Sequence, residues 1–114
     1  MKIYNELESL EFFEWLSETH NLKDTDMTPE YLDELPLNDI HRTVCNSMAF
    51  RFFREKYNIN TIISWRDDLL NYDISLTEMK KHGYFYYKDN FNTYEEAELA
   101  CLQHLIKIVK EQQK

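Results

Sequence analysis

Ile59-Asn60-Thr61-Ile62-Ile63-Ser64-Trp65-Arg66 marks the place where a chain with helical spacing changes its period. Ile59, Thr61, Ile63 and Trp65 alternate with Asn60, Ile62, Ser64 and Arg66, and β-branched side chains dominate, which predicts a half-buried strand. Two more strands are predicted downstream, at Tyr72-Asp73-Ile74-Ser75-Leu76 and Tyr84-Phe85-Tyr86-Tyr87. Between them Lys80-Lys81-His82-Gly83 holds the chain's one glycine and reads as the turn. A three-stranded antiparallel meander is the simplest arrangement.

Helices flank this meander. After it, Thr93-Tyr94-Glu95-Glu96 is a capping box, and Ala97, Cys101, Leu102, Leu105, Ile106, Ile108 and Val109 make a continuous apolar face. Before it, a long segment from Asn38 or Asp39 to about Tyr57 carries apolar residues around more than half its circumference, which predicts a helix between two layers. Further upstream, Thr28-Pro29-Glu30 starts a short helix that ends before Pro36. Residues 10 to 20 read as an amphipathic helix capped by Ser9, with Leu10, Phe12, Phe13 and Leu16 on one side and Glu11, Glu14 and Glu18 on the other. The expected fold is α+β, with N-terminal helices and a long central helix packed on a three-stranded antiparallel sheet and a C-terminal helix. Residues 1–114 form one domain, divided into an acidic helical segment (1–40) and an α-β-β-β-α unit (41–114).

With 43% hydrophobic and 15% aromatic residues in 114, the chain can bury one core. A single glycine argues against phosphate-cradling loops, which need bare backbone beside the phosphate. No apolar run of membrane-spanning length occurs and the first residues lack the apolar stretch of a signal peptide, so a cytoplasmic protein is expected. Cys45 and Cys101 sit in helical patterns far apart and suit free thiols in a reducing compartment.

Charge is distributed unevenly. Residues 1–40 hold eleven acids against Lys2 and Lys23, a formal −9, whereas residues 41–114 come to +1. Arg42, Arg51, Arg54 and Lys56 make the central helix a basic counterpart, so part of the acidic charge is expected to be paired internally. Such asymmetry bears on partners and association.

Phe50-Arg51-Phe52-Phe53-Arg54-Glu55-Lys56-Tyr57-Asn58, the strands, and Thr93-Tyr94-Glu95-Glu96-Ala97-Glu98-Leu99-Ala100-Cys101-Leu102 together resemble a group of small proteins carried by bacteriophages and prophages. The resemblance covers about residues 48 to 111 and rests mostly on structural motifs. It implies an origin on a mobile element, where many short acidic proteins block host defence enzymes, CRISPR effectors among them. The order α, β, β, β, α also resembles the double-stranded RNA-binding fold, whose function needs lysines at the start of the last helix. Here those positions hold Glu95, Glu96 and Glu98, which would repel RNA.

Three sets of residues suggest chemistry. Asp73 with Glu78 and Lys80 has a spacing found in metal-dependent nucleases, although E-x-K arises easily in a highly charged chain and a nuclease should present a basic groove. His41 with Cys45 and Cys101 with His104 permit a Cys₂His₂ zinc site, although thiols on apolar faces commonly act as small hydrophobes. Tyr84, Tyr86 and Tyr87 could stack on bases, although strand alternation explains them. No catalytic residue, metal ligand or cofactor is assigned.

The fourth set carries the functional expectation. Glu11, Glu14 and Glu18, extended by Asp24, Asp26, Asp33 and Glu34 and anchored by Trp15, would form an acidic partner-binding surface that imitates nucleic-acid phosphates. The alternative reading of each is ordinary: solvated helix faces, and for Trp15 a core residue under the second helix. The expected function is a non-enzymatic inhibitor of a host nucleic-acid-handling enzyme, with a basic protein as partner and neither nucleic acid nor membrane bound directly. A self-associating phage component, dimeric through Trp15 and the Phe-rich helices, is the first alternative; a metal-dependent nuclease is the second.

Overall fold

The structure, a computed structural model, describes residues 2–20, 28–78 and 83–112. Helices α1 (Ile3–Ser9), α2 (Phe12–His20), α3 (Pro29–Glu34) and α4 (Ile40–Tyr57) lead into strands β1 (Ile59–Arg66), β2 (Asn71–Glu78) and β3 (Gly83–Phe91), and α5 (Tyr94–Gln112) closes the chain. The expected α+β fold, with its long central helix, three-stranded antiparallel sheet and C-terminal helix, is what forms. No helix among the described residues is long and apolar enough to cross a membrane.

The strands pair in the order β1-β2-β3. Ile63 lies opposite Ile74 and Trp65 opposite Tyr72, so the apolar parity of β1 continues onto Ile74 and Leu76, both fully buried. Helix α5 crosses this face. Its Ala97, Cys101, Leu102, Leu105, Ile106 and Val109 are buried, Tyr94 meets Tyr72 edge-on at 5.8 Å, and His104 stacks on Tyr86 at 3.7 Å. The other sheet face carries Ile62, Ser64, Arg66, Asp73, Ser75 and Tyr87. Its polar members bond to one another: the Tyr87 hydroxyl donates to Asp73 Oδ2 at 3.0 Å and accepts from Arg66 Nη1 at 3.1 Å.

Residues 3–20 form two helices where one was expected from residue 10. Ser9 ends α1, with its hydroxyl bonded to the Glu6 carbonyl, and caps nothing in α2. Glu11, at φ 69°, turns the chain between them. In one straight helix, Phe12 and Leu16 would sit roughly 140–180° around the axis from Ile3 and Leu7. The break at Glu11 brings both sets into one core, where Ile3, Tyr4, Leu7, Leu10 and Phe12 are almost fully buried. A non-glycine residue in the left-handed region costs about 1–2 kcal/mol, less than the burial of Phe12 and Leu16 returns at about 1.5–3 kcal/mol for each large apolar side chain.

Capping follows the sequence elsewhere. Thr28 accepts from the Tyr31 amide, Asp39 from His41 and Arg42, and Thr93 from Glu96. Asn58, in the left-handed region at φ 59°, ends α4 and turns the chain into β1.

The first half of α4 departs from its expected place between two layers. Ile40 and Val44 are 72% and 57% exposed, while Arg42 and Asn46 face inward. Only the second half is apolar inside. There Phe52 meets Phe12 at 5.4 Å, Trp15 at 5.4 Å and Phe53 at 5.2 Å, tying α2 to α4 through edge-on aromatic pairs.

Candidate functional site

Two polar constellations organise the helical half, and neither was expected from the sequence. In the first, Asn46 Nδ2 donates to Glu98 Oε1 at 2.6 Å and Asn46 Oδ1 accepts from the Tyr4 hydroxyl. That hydroxyl also lies 3.3 Å from the Arg42 carbonyl. Tyr4, Asn46 and Glu98 are all buried, so this chain links α1, α4 and α5 through the core. Burial raises the Glu98 carboxyl above its ordinary pKa, with the Asn46 amide pulling the other way. Burial also raises the Tyr4 phenol. Glu98, expected on the surface at the start of the last helix, is therefore a core residue; Glu96 is exposed and Glu95 half-buried.

The second constellation caps helices across tertiary distance. Asp33 Oδ1 and Oδ2 accept from the Tyr4 and Asn5 amides at 2.9 and 3.2 Å, the first turn of α1, whose N-cap Lys2 makes no side-chain cap bond. Arg42 Nη1 donates to the carbonyls of Leu35 (2.9 Å), Leu32 (3.3 Å) and Asp33 (3.4 Å) at the end of α3. The Arg42 guanidinium also lies 5.9 Å from the Tyr4 ring centroid. Arg42 thus holds α3 in place inside the protein and is no part of a basic helix surface. Asp33 likewise acts as a helix cap, which takes it out of the expected acidic row.

The remaining acidic residues divide in two. Glu11 is off the helix it was assigned to and lies 3.7 Å from Lys56; Glu6 pairs with Lys110; Asp39 caps α4. Among the described residues, these pair part of the acidic charge internally. Glu8, Glu14, Glu18, Glu30 and Glu34 are exposed on α1, α2 and α3. Asp24 and Asp26 lie outside the described residues. Trp15 is half-buried, 6.3 Å from Phe12 and 5.4 Å from Phe52, so it packs against α4 at the edge of the core. Phe12, Phe52 and Phe53 are fully buried and belong to the core, whereas Phe13 and Phe50 are half-buried.

The other candidate sets are not assembled into sites. Asp73 bonds Tyr87 and lies 3.5 Å from Arg66 Nη1, while Glu78 stands about 16 Å further along the same strand. Lys80 lies outside the described residues. One divalent ion cannot bridge that separation. Among the described residues no group of three or more His, Cys, Asp or Glu is placed to hold a metal, so His41, Cys45, Cys101 and His104 do not converge. Burial pushes the Cys101 thiol up to about 12, far from the range of a reactive thiolate. Of the tyrosines, Tyr86 stacks on His104, and Tyr87 anchors the network on the other sheet face.

Exposed apolar residues gather near the β1–β2 turn. Trp65 is 48% and Leu70 75% exposed, with Ile62, Leu69 and Tyr87 partly so. Trp65 Nε1 donates to Asp67 at 2.6 Å, and Arg66 forks onto Asp68, holding that carboxyl below the usual range. No family model, curated protein or solved structure matches the chain.

Proposed function

We propose that the chain is a binding protein that presents the carboxylates of α1–α3 to a basic surface on a nucleic-acid-handling enzyme. A phage-borne inhibitor of a host defence enzyme, such as a CRISPR effector, is the form of this reading that the resemblance favours. One observation carries it: after Glu6, Glu11, Asp33 and Asp39 are assigned to pairs and caps, Glu8, Glu14, Glu18, Glu30 and Glu34 remain at the surface. A globular core does not need five exposed acids on its first three helices. A basic groove that binds phosphates would be attracted by them, and the attraction would be screened over about 8–10 Å in physiological salt.

The test is capture from a nuclease-treated bacterial lysate with the tagged protein and a Glu14→Lys/Glu18→Lys/Glu34→Lys variant. Each of these side chains is exposed, so the variant should fold. Recovery of a basic nucleic-acid enzyme by the wild type alone supports the reading. Equal recovery by both removes it.

A further inference from the structure

The two edges of the sheet are not alike. The β3 edge carries Lys88 and Asp89, Asn90 in the left-handed region at φ 78°, and register shifts against β2 between Tyr72 and Ile74 and between Leu76 and Thr77. Charges and irregularities of this kind keep an edge from pairing with another strand. The β1 edge is regular, and its one charged residue, Arg66, is the last of the strand and is paired with Asp68. Its register against β2 runs unbroken from Ile59 to Arg66, and Ile59 to Trp65 contains no charge, proline or glycine. Among the described residues β1 has a strand on one side only, and its Ile62 and Trp65 are each 48% exposed. A regular, β-branched edge, uncharged from Ile59 to Trp65 and with no strand on its outer side among the described residues, is a template for one more strand.

We infer that β1 pairs with β1 of a second copy of this chain, in antiparallel register about a two-fold axis through Ile62. In that register Ile62 lies opposite its own copy, Thr61 opposite Ile63, Asn60 opposite Ser64 and Ile59 opposite Trp65. Every pair joins residues of the same sheet face, so two three-stranded sheets merge into one six-stranded sheet with each α5 on the same side. The occupant is a second copy and not a foreign peptide for two reasons. The strand satisfies its own edge by symmetry, and a seven-residue uncharged segment offers nothing to steer a charged partner. The seam also lies on different elements from α1–α3, where the acidic charge is concentrated, so the chain's net −8 is not gathered at the contact. This inference is independent of the acidic surface and its partner.

Sedimentation equilibrium from about 1 μM to about 1 mM, the span of weak to moderate association, tests it on the wild type and on Ile62→Lys. The wild-type mass should rise from 14.0 kDa toward twice that value. Ile62→Lys sets two like charges directly opposite each other and should weaken association at least tenfold. Amide exchange of the wild type gives a readout that needs no variant: β1 amides should slow as concentration rises while β3 amides stay unchanged. A wild-type monomer at every concentration, a variant that dimerises like the wild type, or β1 exchange independent of concentration would each overturn the pairing.

Discussion

Replacing Asn46 by leucine tests the buried chain that joins three helices. Asn46 is 5% exposed, and leucine is close to it in size, so the cost arises from the groups left behind. The Tyr4 hydroxyl keeps the Arg42 carbonyl at 3.3 Å, whereas Glu98 loses the amide that donates to it at 2.6 Å. A buried polar group stripped of its partner costs about 1–3 kcal/mol, more when it is charged, which gives about 3 kcal/mol in all. Urea unfolding should show this as a lower midpoint with an unchanged slope. Adding Glu98→Met to Asn46→Leu removes the stranded carboxyl and should restore at least half of the loss, because replacing both ends of a buried pair is far milder than removing one. A single variant within about 0.5 kcal/mol of wild type, the range of ordinary surface substitutions, or a double variant less stable than the single, refutes the reasoning.

The same carboxyl makes stability depend on pH. Burial places the folded pKa of Glu98 above its ordinary 4.5. Below that value both states hold the proton; as pH rises toward the folded pKa the unfolded chain releases its proton first, and stability falls. Glu98→Gln should flatten this decline, read as the urea midpoint between about pH 4 and about pH 8. Asp33→Ala should cost about 1–2 kcal/mol, as for a lost N-cap, and should speed hydrogen exchange at the Tyr4 and Asn5 amides specifically. Cys101, buried with its pKa pushed up to about 12, should resist a thiol reagent at mildly alkaline pH until denaturant is added.

The sequence was most informative where local chemistry alone sets the structure. The Thr28 and Thr93 caps, the alternation in β1 and the apolar face of α5 all depend on neighbours a few residues away, and each lies where its pattern put it. Periodicity failed where tertiary contacts override it. Leu10-Glu11-Phe12 contains no residue that signals a break, yet the helix breaks at Glu11 because only then do Leu7 and Phe12 face one core. Likewise Ile40 and Val44 suggested a buried face, but Arg42 and Asn46 turn inward to meet α3, Tyr4 and Glu98, partners 7 to 52 residues away. Of the acidic row, the exposure of Glu14 and Glu18 followed from helical spacing. The caps and pairs of Asp33 and Glu11 did not, since each depends on a partner that only the fold brings near.

Competition by nucleic acid tests the proposed charge mimicry most directly. With the tagged protein immobilised and its captured partner bound at low salt, a short duplex is titrated onto the complex and release is measured. The proposed function predicts that the duplex releases the partner, that high salt does the same, and that Glu14→Lys/Glu18→Lys/Glu34→Lys captures nothing to release. A partner that stays bound through saturating duplex and high salt would show that it recognises another surface, and would contradict the account.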